Sequence, residues 1–279
     1  MSKANELMSH LLWRTGLSEL LVRRAARNGR FGLMFHGVSK QRYSHLPFHV
    51  QPSMTQQEFD LIMGWLQPRF PFLTLEQFLK GKQPGVLLTF DDGLANNVEL
   101  ALPILEKYKA PAIFYVTVQH VIAPHDWLPA SRNWANQGWP EAAFDQIAHD
   151  FYDGMTEQQL ADCGRHPLIT IGGHTWSHPF LTQCTDEALQ KELIEAKQYL
   201  EDMSHQSITT FAYPTGDYDL RITEAVKQAG YTSAFVEQQQ KVGIPSMEIK
   251  RVGIYQAEPA YLSTKLSGLY QPVLTESYG

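Results

Sequence analysis

The residues best suited to chemistry sit in the run Val86-Leu87-Leu88-Thr89-Phe90-Asp91-Asp92-Gly93, where an apolar stretch ends in two adjacent carboxylates and a glycine. Like charges held side by side do not both ionise freely unless something positive, usually a metal ion, lies beside them. One Asp can then bind metal while the other holds or takes a proton, the outline of a hydrolytic metal site. The plain alternative is a helix N-cap after a strand, with Asp at the cap and Gly in the turn. A second cluster, Gly172-Gly173-His174-Thr175-Trp176-Ser177-His178, follows the apolar run Leu168-Ile169-Thr170-Ile171. Two histidines four apart can face the same way on one helical turn and share a metal. With eleven histidines in 279 residues the spacing alone proves little. The chain also holds a decoy, His45 and His49, where Pro47 argues against a helical turn. His174 and His178 differ from that pair because they follow a strand end, as Asp92 does. Asp92, His174 and His178 with an open position for water have the composition of a catalytic zinc site rather than a closed structural one. A third segment, Phe211-Ala212-Tyr213-Pro214-Thr215-Gly216, ends another apolar run in a rigid turn. Its backbone N–H groups could aim at a developing oxyanion, although the segment read alone is just a turn.

These candidates need elements to hold them. Short β-branched or aromatic runs at 31–36, 86–90, 112–117, 168–171, 208–213, 232–236 and 249–254 suggest about seven strands. Helical stretches such as 96–109 and 186–203 alternate with them, and Leu189, Leu193, Ala196, Leu200 and Met203 share one helical face. Alternating strand and helix implies α/β architecture, a parallel sheet with both faces covered. Seven units suit an irregular barrel better than an open doubly wound sheet, and either puts chemistry at the C-terminal strand ends. Asp91 and Asp92 lie at such an end. Residues 120–166 break the rhythm, with His120, His125, Trp127, Trp134 and Trp139 early and weak periodicity after. We therefore expect a barrel over residues 31–279 with an insertion at about 119–167, which either shapes a substrate site or is a helical elaboration away from it.

Composition narrows the function. The chain is 43% hydrophobic with a net charge of −6, so one sizeable core is expected and a nucleic-acid partner is not. Two cysteines, Cys163 and Cys184, read as reduced thiols. With no secretion signal and no apolar span in the sequence, a soluble, cytoplasmic protein is expected. Residues 1–30 qualify this. Leu7, Leu11, Leu12, Trp13, Leu20 and Leu21 alternate with Arg14, Arg23, Arg24, Arg27 and Arg30 as in an amphipathic helix. That helix either packs on the body or lies, over residues 5–30, on an anionic membrane surface.

Taken in order, Thr-Phe-Asp-Asp-Gly, His-Thr-x-x-His and Phe-Ala-Tyr-Pro-x-Gly resemble the motifs of the polysaccharide deacetylase family, the NodB-homology group of carbohydrate esterases. The resemblance runs from about residue 31 to 256. It implies a distorted seven-stranded (β/α) barrel, a divalent metal that is commonly zinc, and hydrolysis of an N-acetyl group on a sugar. By resemblance, Asp91 is the general base and Asp92, His174 and His178 are the metal ligands; on that mechanism the backbone N–H of Thr215 is expected to meet the oxyanion. Leu33-Met34-Phe35-His36-Gly37-Val38 also looks like the first-strand signature of members found among glycan-assembly proteins. Two departures stand out. The late Leu-x-His motif that supplies the family's general acid is absent, with no histidine after His205, so His36 is the candidate replacement. The third motif often begins with an arginine where this chain has Ala212, and Arg251 is the candidate to tune the base from the last strand. The expected activity is removal of an acyl group from a glycan or its precursor. The alternative is a carbohydrate-binding protein that kept the metal and lost turnover. Phosphoryl transfer would want Asp-x-Asp or a partner lysine instead.

Overall fold

The seven apolar runs form seven parallel strands in the computed structural model, which describes residues 3–43, 54–125 and 148–268. They are β1 (Arg30–Phe35), β2 (Gly85–Phe90), β3 (Ala112–Val116), β4 (Ile169–Gly173), β5 (Thr210–Ala212), β6 (Ser233–Val236) and β7 (Ile249–Gly253). Each pairs with the next, and β1 pairs with β7, so the sheet is a closed seven-stranded barrel rather than an open one. The closure is uneven. β1 and β2 are in register from Arg30–Gly85 to Phe35–Phe90, whereas β4 meets β5 only through Gly173 and Phe211. That unevenness is the distortion.

Strand alternation sorts the core into two layers. Val86, Leu88 and Phe90 of β2 point outward, with Phe35, Phe114 and Ile171, and pack against the surrounding helices. Leu87, Ile113, Tyr115, Ala212, Phe235 and Ile249 point inward and fill the lumen. Phe78 and Leu79, from a helix at Leu75–Lys80, join the inward set and plug one end of the barrel. Residues of inward parity at the C-terminal ends of the strands are therefore left to line the other mouth.

Two helices precede the barrel, α1 (Lys3–Arg14) and α2 (Leu17–Asn28), and both pack on the last described helix, Pro259–Leu266. The segment after β3 begins with a short helix, Val118–Ile122, and returns through Ala148–Tyr152 into a helix at Glu157–Arg165. On its return it hydrogen-bonds the Asp-Asp-Gly turn, Met155 N–H to Gly93 O at 2.9 Å and Ala95 N–H to Asp153 O at 2.8 Å. Trp127, Trp134 and Trp139, and the decoy pair His45 and His49, lie outside the described residues.

Candidate active site

Period-2 alternation carries Asp91 into the barrel mouth, because it continues the inward series Leu87 and Thr89. There it meets Arg251, two residues along β7 from inward-facing Ile249. The contact is a two-pronged ion pair: Arg251 Nη1 to Asp91 Oδ1 at 2.6 Å and Nη2 to Oδ2 at 2.8 Å. Arg251 also donates to the Thr89 hydroxyl at 2.9 Å and lies 5.3 Å from the Tyr115 ring centre. Both partners are buried, at 2% and 3% exposure. Room for Arg251 comes from its register partner Gly32, where a Cβ would stand 3.2 Å from the Arg251 Cγ. Burial alone would push the Asp91 carboxyl up, but the charges of Arg251, His174 and His36 outweigh it and hold it below the ordinary range.

Asp92 would face away from Asp91 if the strand simply continued. Its φ of 78°, followed by Gly93 at 73°, breaks the alternation and swings its carboxylate back toward the histidines. His120, on the short helix after β3, donates from Nδ1 to the Asp92 carbonyl at 3.1 Å and helps hold that backbone. His174 continues the inward parity of β4, and its Nδ1 donates to Ala212 O at 2.7 Å. This bond sets the tautomer and turns Nε2 toward Asp92 Oδ1, 3.5 Å away. His178 Nε2 lies 3.6 Å from the same oxygen.

The His174–His178 segment is not the helical turn its spacing suggested. It is an irregular loop in which Thr175 (φ 71°) and His178 (φ 59°) are left-handed, so two backbone reversals rather than helix periodicity bring the rings together. Their ring centres are 5.0 Å apart. Buried Glu192 fastens this loop, accepting Trp176 N–H at 3.0 Å, Ser177 N–H at 2.9 Å and the Ser177 hydroxyl at 2.7 Å. The Thr175 hydroxyl accepts His178 N–H at 2.9 Å.

The Asp92, His174 and His178 donor atoms all lie within 4.8 Å of one another. Zinc–ligand bonds of about 2.0–2.2 Å place tetrahedral donors roughly 3.3–3.6 Å apart, the spacing found from Asp92 to each histidine. One carboxylate and two imidazoles are an ordinary catalytic zinc set, and the set fits such a cation. Burial and the charge of His174 push the His178 ring down to about 4, leaving it neutral and able to ligate near neutral pH. For His174, burial is outweighed by Asp92 and Asp91, which raise it: a cation, either a proton or a metal, is favoured opposite these carboxylates.

The remaining candidates stand at the rim. His36 directly follows β1 at inward parity, its carbonyl held by Asn97 Nδ2 at 2.8 Å, and its charge acts on both Asp91 and Asp92. In the Tyr213-Pro214-Thr215 turn, two of the three backbone positions cannot serve an oxyanion. Tyr213 N–H bonds Phe235 O at 3.3 Å and Pro214 has no N–H, which leaves Thr215, at φ 55° and exposed. The Tyr213 ring packs into the core against Tyr218 and Phe211, with centres 4.9 and 5.3 Å away. Sequence reasoning named His120 only as part of the insertion and passed over Glu192 and Asn97. A histidine just past a strand end was a signal for the first, but nothing local marked the other two.

Residues 79–234, more than half of the chain, match the family described as polysaccharide deacetylase. The chain belongs to the polysaccharide deacetylase family. The matched span contains the Asp-Asp-Gly, His-Thr-x-x-His and Tyr-Pro-x-Gly segments, while His36 and Arg251 lie outside it. Among relatives of this chain, YxkH of Bacillus subtilis (strain 168) is 25% identical over 244 residues, 85% of this chain and 72% of that one. The poly-beta-1,6-N-acetyl-D-glucosamine N-deacetylase of Staphylococcus aureus (strain MSSA476) is 29% identical over 192 residues, 66% of this chain. The match spans 60% of the staphylococcal protein's length. Among solved structures, BC0361, a polysaccharide deacetylase from Bacillus cereus, superposes with a TM-score of 0.64 at 19% identity, over 85% of this chain and 69% of that one. That likeness shows the shared fold.

Proposed function

We propose that the protein is a metal-dependent carbohydrate N-deacetylase that removes an acetyl, or a similar acyl, group from an amino sugar of a glycan or glycan precursor. The observation that carries this reading is the buried Asp91–Arg251 pair standing beside the Asp92, His174 and His178 donor set. A protein that only retained metal would have no need to bury a second carboxylate and its counter-charge, since burying ions is costly. Asp92, His174 and His178 hold the divalent cation, zinc by the nature of the donors. When bound, the cation supplies Lewis-acid polarisation of the acyl carbonyl and a lowered pKa for water at the site.

The chain's own groups do the rest. Asp91, kept ionised by Arg251, takes a proton from the attacking water as general base. Arg251 fixes both carboxylate oxygens so that the acceptor lone pair stays aimed into the mouth. Thr215 N–H stabilises the charge that develops on the acyl oxygen. His36, at the end of β1 and acting by its charge on both carboxylates, delivers a proton to the departing amine, which must leave neutral. Family membership and the staphylococcal relative's named substrate support an N-acetylated hexosamine polymer or its precursor as the substrate class.

Acetate release from a panel of N-acetylated sugars and glycans, measured with added zinc and after chelation, tests the reading. Metal-dependent release from at least one glycan is expected. Tight glycan and metal binding with no acetate released from any of them would instead assign the chain to carbohydrate binding.

A further inference from the structure

Helix α2 carries a solvent-facing stripe that the deacetylase reading leaves unused. Leu17, Leu20, Arg24 and Arg27 follow one another at spacings of three, four and three, so they lie along one helical face, and all four are exposed. Leu17 is 45% and Leu20 64% exposed, while Ser18, Val22 and Ala25 on the opposite face are buried. In α1, Leu11, at 57% exposure, and Arg14 extend the same combination. Among the described residues no acidic side chain pairs with Arg14, Arg24 or Arg27. Glu19, the acid nearest the stripe in sequence, is held by Arg23 and Arg69.

The charge of this part opposes that of the rest. Residues 1–30 hold six Lys or Arg and two Glu, within a chain whose net charge is −6. Large exposed leucines interleaved with unpaired arginines match an anionic bilayer, into which leucine inserts at the acyl boundary while arginine meets phosphate.

We propose that α1 and α2 form a docking face for an anionic phospholipid surface. The placement of the hairpin gives the docking a direction. α2 enters β1 at the plugged end of the barrel, and its 12 residues span about 18 Å, close to the length of β1. Toward its far end the hairpin meets the segment that follows the C-terminal end of β7, where His10 Nε2 lies 3.8 Å from Glu258 Oε2. The leucine end of the stripe therefore lies on the side of the barrel toward which the strands' C-terminal ends point, and docking turns that side toward glycan held at a membrane. This last consequence rests on the deacetylase reading. The docking itself does not, and the test below contains no glycan.

The test is co-sedimentation of the full chain with phosphatidylcholine vesicles, with and without phosphatidylglycerol, at low and high salt. Binding to the anionic vesicles alone, weakened by salt, is expected. Arg24→Gln with Arg27→Gln should weaken it about 25-fold, from roughly fivefold per charge, and Leu17→Ser with Leu20→Ser by an order of magnitude or more. Both double variants replace exposed side chains, so unchanged melting temperatures would show that the fold is intact. Failure of the wild type to bind anionic vesicles would overturn the proposal, as would equal binding by the variants. Self-association that the leucine variant abolishes, without vesicle binding, would assign the stripe to a second copy of the chain.

Discussion

Removing Arg251 would leave the Asp91 carboxylate buried without its counter-charge. Breaking a buried pair in this way costs about 3–5 kcal/mol, so Arg251→Gln should lower the denaturant midpoint markedly. Its second effect is on pH. Arg251 holds the Asp91 carboxyl below its ordinary range, so losing the guanidinium raises that pKa and moves the acidic limb of the kcat/KM profile to higher pH. A limb that stayed in place would separate Asp91 from the titration that governs turnover. His36 is tested by rate. If it delivers a proton to the amine, His36→Gln should lower kcat by about 10²–10⁴-fold. A variant with the wild-type rate would put the acid elsewhere. Asp91, Asp92, His174 and His178 were all legible in the sequence because residue type, order and strand-end position coincided. His36 and Arg251 were legible only as substitutes for what the family pattern lacked. What could not be read was the contact between Asp91 and Arg251, since 160 positions separate them and only barrel closure makes them neighbours.

At the scale of elements, local breaks in regular structure aim the groups. Three non-glycine residues around the donor set, Asp92, Thr175 and His178, have left-handed backbones, each an unfavourable conformation kept in place by a hydrogen bond or a buried neighbour. Helical spacing therefore singled out two histidines that the structure brings together by a different geometry. Two widened helical turns, Asn97–Ala101 and Gln190–Glu195, contain Asn97 and Glu192, which hold the His36 carbonyl and the His174–His178 loop. A π turn shifts register by one residue, so 3.6-residue periodicity recovers the helix and hides the residue it re-aims. Glu192→Ala should weaken metal affinity about 10–100-fold while leaving the acidic limb set by Asp91 where it is. Unchanged affinity would mean that the loop holds its shape without Glu192.

For the whole molecule, the seven strands, their order and the use of the C-terminal mouth were legible because buried parallel strands read as short apolar runs. Closure was less so. It depends on β1 and β7 meeting at Gly32 and Arg251, a pairing with no local signature. The same three-dimensional arrangement couples metal to stability, since the donors come together from the ends of β2 and β4 only in the folded chain. A ligand that binds only the native state at 100 times its Kd adds about 2.7 kcal/mol. For a chain of this size, chelation should then lower Tm by roughly 5–10 °C, and zinc should restore it. A wild-type Tm indifferent to both would argue against a folded-state metal site.

The unequal division of labour between Asp91 and its neighbour Asp92 is tested most directly by measuring bound metal and acetate release on the same preparations of Asp91→Asn and His174→Ala. Asp91→Asn should keep stoichiometric metal and lose about 10²–10⁴-fold in turnover, while His174→Ala loses both. Wild-type turnover in Asp91→Asn, or tightly held metal in His174→Ala, would contradict the account.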